Sequence, residues 1–411
     1  MARGYKRRYQ MNSQKKKLLF FIATLAQGGA ERLISELSFR LQDLEIVIVV
    51  SENKVSYPYR GKLLVLDVPF PKNFFLKIYC YFVRLIRLQK VLSEEKPDYM
   101  VSFGAFAHVM NVLLNRNVIL HTDMFYSKGR NDFWGLVLKI FARFFYNRAQ
   151  KIIPVSYASS QDLVEHYGIQ KQKIQVIYNP IDIEKIERLS KAPLSKSFEE
   201  IFSHPVVITM GRLMKQKGQW HLIKAFKKFK ETAPNAKLVV LGEGELKNAL
   251  QKLAQDLLIA NDVHFLGWQD NPFPFLRAAQ FFVLSSLFEG LPTVLLEAMA
   301  CGLPVISADC KSGPREILAP LGDINKEAKE IEIADFGILV PQLDENFPFS
   351  KDLAREEKIL AHAMILLAKD PSLRKRLAEK AGKRAEDFSM ERIIKDWNSL
   401  FGYGRVRGIQ I

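Results

Sequence analysis

Residues 281–302, FFVLSSLFEGLPTVLLEAMACG, pass from an apolar β-run to a helical run through a Gly-Leu-Pro-Thr turn. Gly290 and Pro292 end the strand, and Thr293 is placed to cap the helix. The amides of Leu291, Thr293 and Val294 then open that helix with their N–H groups unpaired, a terminus that binds phosphate. Glu289 precedes this seat. Glu297 follows about one turn into the helix and points back toward it. A phosphate cradle flanked by two carboxylates suits a ligand with a diphosphate in the middle and hydroxyls at both ends, and a nucleotide-sugar is such a ligand. Spacing alone also permits a plainer reading, two solvated carboxylates that offset the helix dipole.

The same strand–turn–helix alternation runs outward in both directions. LLFFIATL, IVIVVS, YMVSFG, VILHT and KIIPVS read as strands in the first half. VVITMG, LVVLG, VHFLG, FFVLSS and PVISAD read as strands in the second. Helical stretches lie between them, which predicts parallel sheets with crossover helices. With a break near Asn179-Pro180, the expectation is an α/β chain of two Rossmann-like domains whose parallel sheets face each other across a cleft. A basic tail covers residues 1–17, a first domain 18–182, a second domain 183–387, and a C-terminal helical segment 388–411. KAPLSKSFEEIFSHP, residues 191–205, reads as a linker or edge before the second sheet.

A chain of 411 residues calls for two cores rather than one. Its three cysteines, Cys80, Cys301 and Cys310, are scattered and odd in number, which argues for a reducing compartment and against a disulfide framework. No His, Cys, Asp or Glu cluster has metal-ligand spacing. The net charge of +16 is uneven: residues 1–182 hold 27 Lys and Arg against 14 Asp and Glu, a difference of +13. No nucleic-acid motif accompanies this charge. An anionic membrane surface and a phosphate-bearing acceptor explain it better. MARGYKRRYQMNSQKKK followed by LLFFIATLA has the outline of a signal peptide. QGGAERLISELSFRL follows as a glycine turn and an amphipathic helix, so the apolar run is read as a first β-strand behind a basic tail, in a cytoplasmic protein. No segment reaches the roughly 20 apolar residues that span a bilayer. Two stretches, 74–92 and 133–151, are both aromatic and basic. Each is either a core helix with its basic face in water or a helix that also touches an anionic membrane.

FEGLPTVLLEAMACG resembles the Glu-x7-Glu signature of the retaining glycosyltransferases of family 4, the group 1 class with the GT-B fold. The segments MGRLMKQKGQWHLIKAF, LGEGELKNAL, VHFLGWQDN, GLPVISADCKSGPREIL and FGILVP resemble further stretches of that family, in its order. QGGAERLISELSFRL resembles its N-terminal glycine loop, and YNPIDIEKIERL its interdomain segment. The resemblance implies that 18–182 is the N-terminal acceptor-side domain, that 183–387 binds the nucleotide-sugar, and that helix 388–411 crosses back to the first domain. The resemblance is nearest to enzymes of bacterial surface-polysaccharide and lipid-linked glycan assembly.

This resemblance implies roles for individual residues. Arg212 and Lys217 match the pair that grips the donor diphosphate, while Lys215 is off the pattern. Glu289 would contact the donor sugar and Glu297 the ribose hydroxyls, as carboxylates do in dinucleotide folds. Gly28 and Gly29 would let the chain approach the donor closely. Glu31 reads as a helix-start carboxylate. Trp268 falls where the family reads the base, but an ordinary core aromatic fits its sequence context equally. His121 matches the family's active-site histidine near the transferred sugar. Asp123 is a weaker acceptor-side candidate, His108 reads as structural, and Arg130 is a guess from charge for an acceptor phosphate. The class generally needs no metal and retains anomeric configuration.

The expectation is therefore a retaining glycosyltransferase. It moves an N-acetylhexosamine or hexose from a UDP-sugar to a polyprenyl-diphosphate-linked saccharide, peripherally bound at the inner face of the cell membrane and without cofactor. The alternatives are another GT-B reaction, phosphorylase or nucleotide-sugar epimerase, or a non-catalytic basic protein that binds membrane or nucleic acid.

Overall fold

The computed structural model of the protein describes residues 15–26, 28–71, 73–114, 117–123, 140–345 and 352–403. The basic tail up to residue 14, Arg130 and the start of the second aromatic-basic stretch lie outside the described residues. The chain divides into two compact units, residues 1–121 with 144–152 and residues 122–143 with 153–411.

The strands of the first unit are β1 (Lys17–Ile22), β2 (Glu45–Val50), β3 (Lys62–Val65), β4 (Tyr99–Phe103), β5 (Val118–Thr122) and β6 (Lys151–Pro154). They form one sheet in the order β3-β2-β1-β4-β5-β6. KLLFFI and EIVIVV are buried along nearly their whole length. Parallel strands covered by helices on both faces need such unbroken apolar runs. The order reverses at β1 and β4, and the glycine loop follows β1 there.

One helix of this unit, Phe74–Glu95, leaves many of its apolar residues exposed. Its buried residues are Cys80, Arg84 and Leu88. Phe74, Phe75, Leu76, Ile78, Tyr79, Phe82 and Ile86 are exposed, Phe75 at 78% and Ile86 at 70%. One of the four cations, Arg84, turns inward, while Lys77, Arg87 and Lys90 stay exposed. The Arg84 guanidinium donates to the Val68 carbonyl at 3.0 Å and stacks over the Phe70 ring at 3.9 Å, and Arg87 donates to the Asp67 carbonyl at 2.8 Å. The loop before the helix offers bare carbonyls, and satisfying them takes precedence over solvating Arg84, while Arg87 reaches them from the exposed face. The wet face of this helix is therefore basic and aromatic together. Lys77, Arg87 and Lys90 lie on it with the exposed aromatics. Among the described residues no helix is long and apolar enough to cross a membrane.

The strands of the second unit are β7 (Val206–Met210), β8 (Lys237–Leu241), β9 (Val263–Gly267), β10 (Phe281–Leu284), β11 (Val305–Ala308), β12 (Glu332–Ile333) and β13 (Ile338–Val340). Their order in the sheet is β12-β13-β11-β10-β7-β8-β9. All pairings are parallel except β12 with β13. Successive strand residues serve two cores, as period-2 alternation requires. Val207, Leu238, Phe281 and Val283 pack under helices Gln219–Phe229 and Arg355–Lys369. Ile208, Val239, Phe282 and Leu284 pack under Phe273–Ala278 and Thr293–Ala300.

Two local readings change. The stretch expected as a linker contains a helix, Lys196–Phe202, because Phe198, Ile201 and Phe202 recur at helical spacing. Phe198 and Phe202 meet Phe275 at 5.1 and 6.0 Å between ring centroids. Residues 153–182 group with the second unit. Helix Tyr157–Tyr167 is held there by Glu316, whose carboxylate accepts from the Tyr157 and Ala158 amides at 2.9 Å each. The C-terminal segment forms helix Met390–Leu400.

Candidate active site

The second sheet reverses its winding at β7 and β10, so a crevice opens beyond the carboxyl ends of these two strands. The loop after β7 supplies Lys217 and the loop after β10 supplies Glu289. Gly218 ends the β7 loop in a left-handed conformation, φ +56°, where a Cβ would lie 2.4 Å from the Ser285 carbonyl oxygen. The loops are then tied together three times. Ser285 Oγ donates to the Lys217 carbonyl at 3.0 Å, the Leu287 amide to the Gln216 carbonyl at 2.8 Å, and Gln216 Nε2 to the Phe288 carbonyl at 3.0 Å.

This binding places Lys217 Nζ 2.6 Å from Glu289 Oε1. Ser286 Oγ donates to the same oxygen at 2.6 Å. The Glu289 side chain is 6% exposed and that of Lys217 17%. Burying a carboxylate is costly unless it is paired and hydrogen-bonded, and here it has both a cation and a hydroxyl. Cys310 also lies near it. Burial, reinforced by the Glu289 carboxylate, pushes the Cys310 thiol well up, so it stays protonated and fills space. Arg212 is exposed and forms no ion pair among the described residues, while its carbonyl is fixed by Gln219 Nε2 at 3.0 Å.

Beyond Glu289 the chain turns through Gly290. A Cβ there would fall 2.2 Å from the Asp123 carbonyl oxygen, so only glycine fits. Helix Thr293–Ala300 follows, with Pro292 at its N-cap and no side-chain cap bond. Thr293 is thus the first helical residue, not the cap. The cap position falls to Pro292, one residue earlier. The consequence for the seat is favourable. The amides of Leu291, Thr293 and Val294 have no acceptor among the described residues, at a helix end that attracts anions. Glu297 is the fifth helical residue and is 4% exposed.

Trp268 is 56% exposed and its Nε1 donates to Asp270 Oδ1 at 3.0 Å, so it is not a core aromatic. It follows Gly267, whose φ of +72° no other residue adopts easily. Asp123 is a backbone wall of the turn, and burial raises its carboxyl pKa.

The remaining candidates belong to the first unit. Gly28 is the N-cap of helix Gly29–Arg40, and a Cβ on it would meet Glu31 Oε2 at 2.2 Å. A Cβ on Gly29 would meet nothing within 4 Å, so no contact inside the chain demands glycine there. His121 lies in β5, 1% exposed, with its ring 4.7 Å from that of Phe103. His108 accepts or donates through Nδ1 to Ser102 Oγ at 2.9 Å. Burial, with His121 close by, pushes its imidazole down to about 3, so it is neutral and structural as expected. Sequence reasoning missed Ser286, Gly218 and Ser312. Ser286 and Ser312 carry no local pattern, and Gly218 was visible only as part of a Lys-Gly pair.

Known proteins match this chain along most of its length. Residues 194–327 match the model of the glycosyl transferases group 1, and residues 27–185 that of glycosyltransferase family 4. An uncharacterized glycosyltransferase of Methanocaldococcus jannaschii is 39% identical over 334 residues, 77% of this chain and 82% of the relative. The N-acetylgalactosamine-N,N'-diacetylbacillosaminyl-diphospho-undecaprenol 4-alpha-N-acetylgalactosaminyltransferase of Campylobacter jejuni is 30% identical over 395 residues, 92% of this chain and 98% of that one. Among solved structures, Anabaena Alr3699/HepE in complex with UDP and glucose superposes with a TM-score of 0.73 at 19% identity, covering 94% of this chain and 99% of that one. WaaG, a glycosyltransferase involved in lipopolysaccharide biosynthesis, gives 0.67 at 19% identity over 94% and 100%. These structures fix the fold as GT-B.

Proposed function

We propose that this chain, which belongs to the group 1 glycosyltransferases of family 4, moves an N-acetylhexosamine or hexose from a UDP-sugar to a polyprenyl-diphosphate-linked saccharide, with retention at the anomeric carbon. The Lys217–Glu289 pair at the switch point, beside three amides with no acceptor among the described residues, carries the reading. A departing UDP needs positive charge and oriented dipoles that are in place before it leaves. Lys217, Arg212 and the amides of Leu291, Thr293 and Val294 supply them. Glu289 takes hydroxyls of the sugar, Glu297 those of the ribose, and Trp268 lies beside the base. Gly28, Gly29 and His121 are assigned by the family resemblance. The name of the Campylobacter relative supports an acceptor on diphospho-undecaprenol, and the Anabaena complex supports UDP. No metal is required for these steps. A thermal-shift panel of nucleotide-sugars tests the donor, since a ligand stabilises in proportion to occupancy. We expect UDP-sugars to raise the melting temperature and transfer to a polyprenyl-diphosphate saccharide to persist in EDTA. Stabilisation by GDP-sugars alone would overturn the UDP assignment, and an inverted product the retention.

The exposed aromatic face of helix Phe74–Glu95 supports peripheral docking on an anionic membrane at its cytoplasmic side. Phe75, Tyr79, Phe82 and Ile86 recur at helical spacing on that face. Fully burying one such side chain is worth about 1.5–3 kcal/mol, while each nearby cation adds about 1 kcal/mol at low salt. Phosphatidylglycerol vesicles should therefore sediment the protein, and high salt should release only part of it. Phe75→Ser with Ile86→Ser should cut partitioning about tenfold or more, and removing residues 1–16 should weaken it less. Equal recovery in the supernatant with anionic and neutral vesicles would sink the membrane assignment.

A further inference from the structure

Behind the phosphate seat lies a buried trio of serines, Ser156, Ser159 and Ser312, each no more than 5% exposed. Ser156 Oγ lies 2.7 Å from Ser159 Oγ and 2.7 Å from Ser312 Oγ, and Ser159 Oγ is 3.1 Å from Ser312 Oγ. Ser312 Oγ donates to the Gly290 carbonyl at 2.6 Å. A hydroxyl has one proton and a carbonyl none. With its proton committed to Gly290, Ser312 can only accept: Ser156 donates to Ser159, and Ser159 in turn donates to Ser312. The network therefore runs one way, toward the Gly290 oxygen, and each bond polarises the next.

Ser312 itself sits at φ +72°, a conformation that costs a non-glycine residue about 1–3 kcal/mol. Gly313 follows at φ +91°, and a Cβ there would lie 2.4 Å from Pro292 Cδ. The Ser312–Gly313 turn is thus pressed against the back of the Gly290–Pro292 turn.

A trans peptide points its C=O and N–H in opposite directions. Fixing the Gly290 carbonyl toward the serines fixes the Leu291 N–H away from them, and that N–H has no acceptor among the described residues. We infer that Ser312 is a positioning residue for the donor: its hydroxyl locks the Gly290–Leu291 peptide so that the Leu291 amide meets the diphosphate. The inference rests on the donor reading above.

Two variants separate this role from a structural one. Ser312→Ala removes the hydroxyl and keeps the strain, whereas Ser312→Gly removes the hydroxyl and relieves the strain. Both should raise the dissociation constant of UDP about tenfold, the worth of one hydrogen bond to a charged group. Uridine, which has no phosphate, should bind all three proteins equally. Thermal stability should diverge, with Ser312→Gly melting above Ser312→Ala. UDP affinity that recovers in Ser312→Gly, or losses equal for UDP and uridine, would overturn the inference and leave the donor reading intact. Failure of the native protein to bind UDP would remove the donor reading and this inference together.

Discussion

Glu289→Gln should lower kcat about a hundred- to a thousandfold while UDP binds at least as tightly as to the native protein. The carboxylate is held by Lys217 and Ser286, each at 2.6 Å, and is almost fully buried. The amide keeps the volume and one acceptor oxygen but loses the charge. A group that stabilises developing charge in an enclosed site is worth on the order of 3–4 kcal/mol when removed, which sets the loss in turnover. Nucleotide affinity should move the other way. In the ligand-free protein the Lys217 ammonium is neutralised by Glu289, and a diphosphate must share or displace that partner. A neutral amide in place of the carboxylate gives Lys217 up more easily. Glu297→Ala should show the reverse pattern, with UDP affinity reduced because the ribose loses its acceptor. A Glu289→Gln enzyme within about threefold of native kcat would remove Glu289 from the chemistry. Loss of UDP binding in that variant would instead make Glu289 a nucleotide contact.

The donor side of this architecture was legible because it is local. A strand, a glycine turn and a helix start at Phe281–Ala300 are contiguous in sequence, so the seat amides and both glutamates could be placed by periodicity and turn chemistry. The long central strands were legible for the same reason, as unbroken apolar runs. β12 and β13 were not, because two or three residues carry too little pattern, nor was β3, an edge strand with no fully buried residue. Helix Lys196–Phe202 was hidden by flanking prolines and polar residues. The inward turn of Arg84 in helix Phe74–Glu95 was invisible for a different reason. Whether an arginine on a helix faces water or a loop depends on bare carbonyls at 66–69, which belong to another segment. Ser312 reaches Gly290 from 22 residues away and Ser156 from 156 residues away, distances at which sequence spacing says nothing. Thr293 shows the limit of local reading: the helix starts at its best capping residue instead of just after it.

Lys217→Ala and Arg212→Ala should each lower kcat/KM by the equivalent of about 2–4 kcal/mol, yet only the first should destabilise the fold. Both cations are assigned to the diphosphate, so both should stabilise its departure. Their settings differ. Arg212 is exposed and unpaired among the described residues, so its loss leaves nothing buried without a partner. Lys217 is mostly buried, and its removal strands the Glu289 carboxylate with only the Ser286 hydroxyl. Breaking one side of a buried pair costs on the order of 3 kcal/mol. The double variant Lys217→Ala, Glu289→Gln removes both charges and should recover much of that stability without recovering activity. Urea titrations of the single and double variants measure the coupling directly. Additive stability losses would show that the pair contributes nothing to the fold. Near-native kcat/KM in both Lys217→Ala and Arg212→Ala would remove the diphosphate from this end of the sheet, and with it the assignment of the turn amides as its seat.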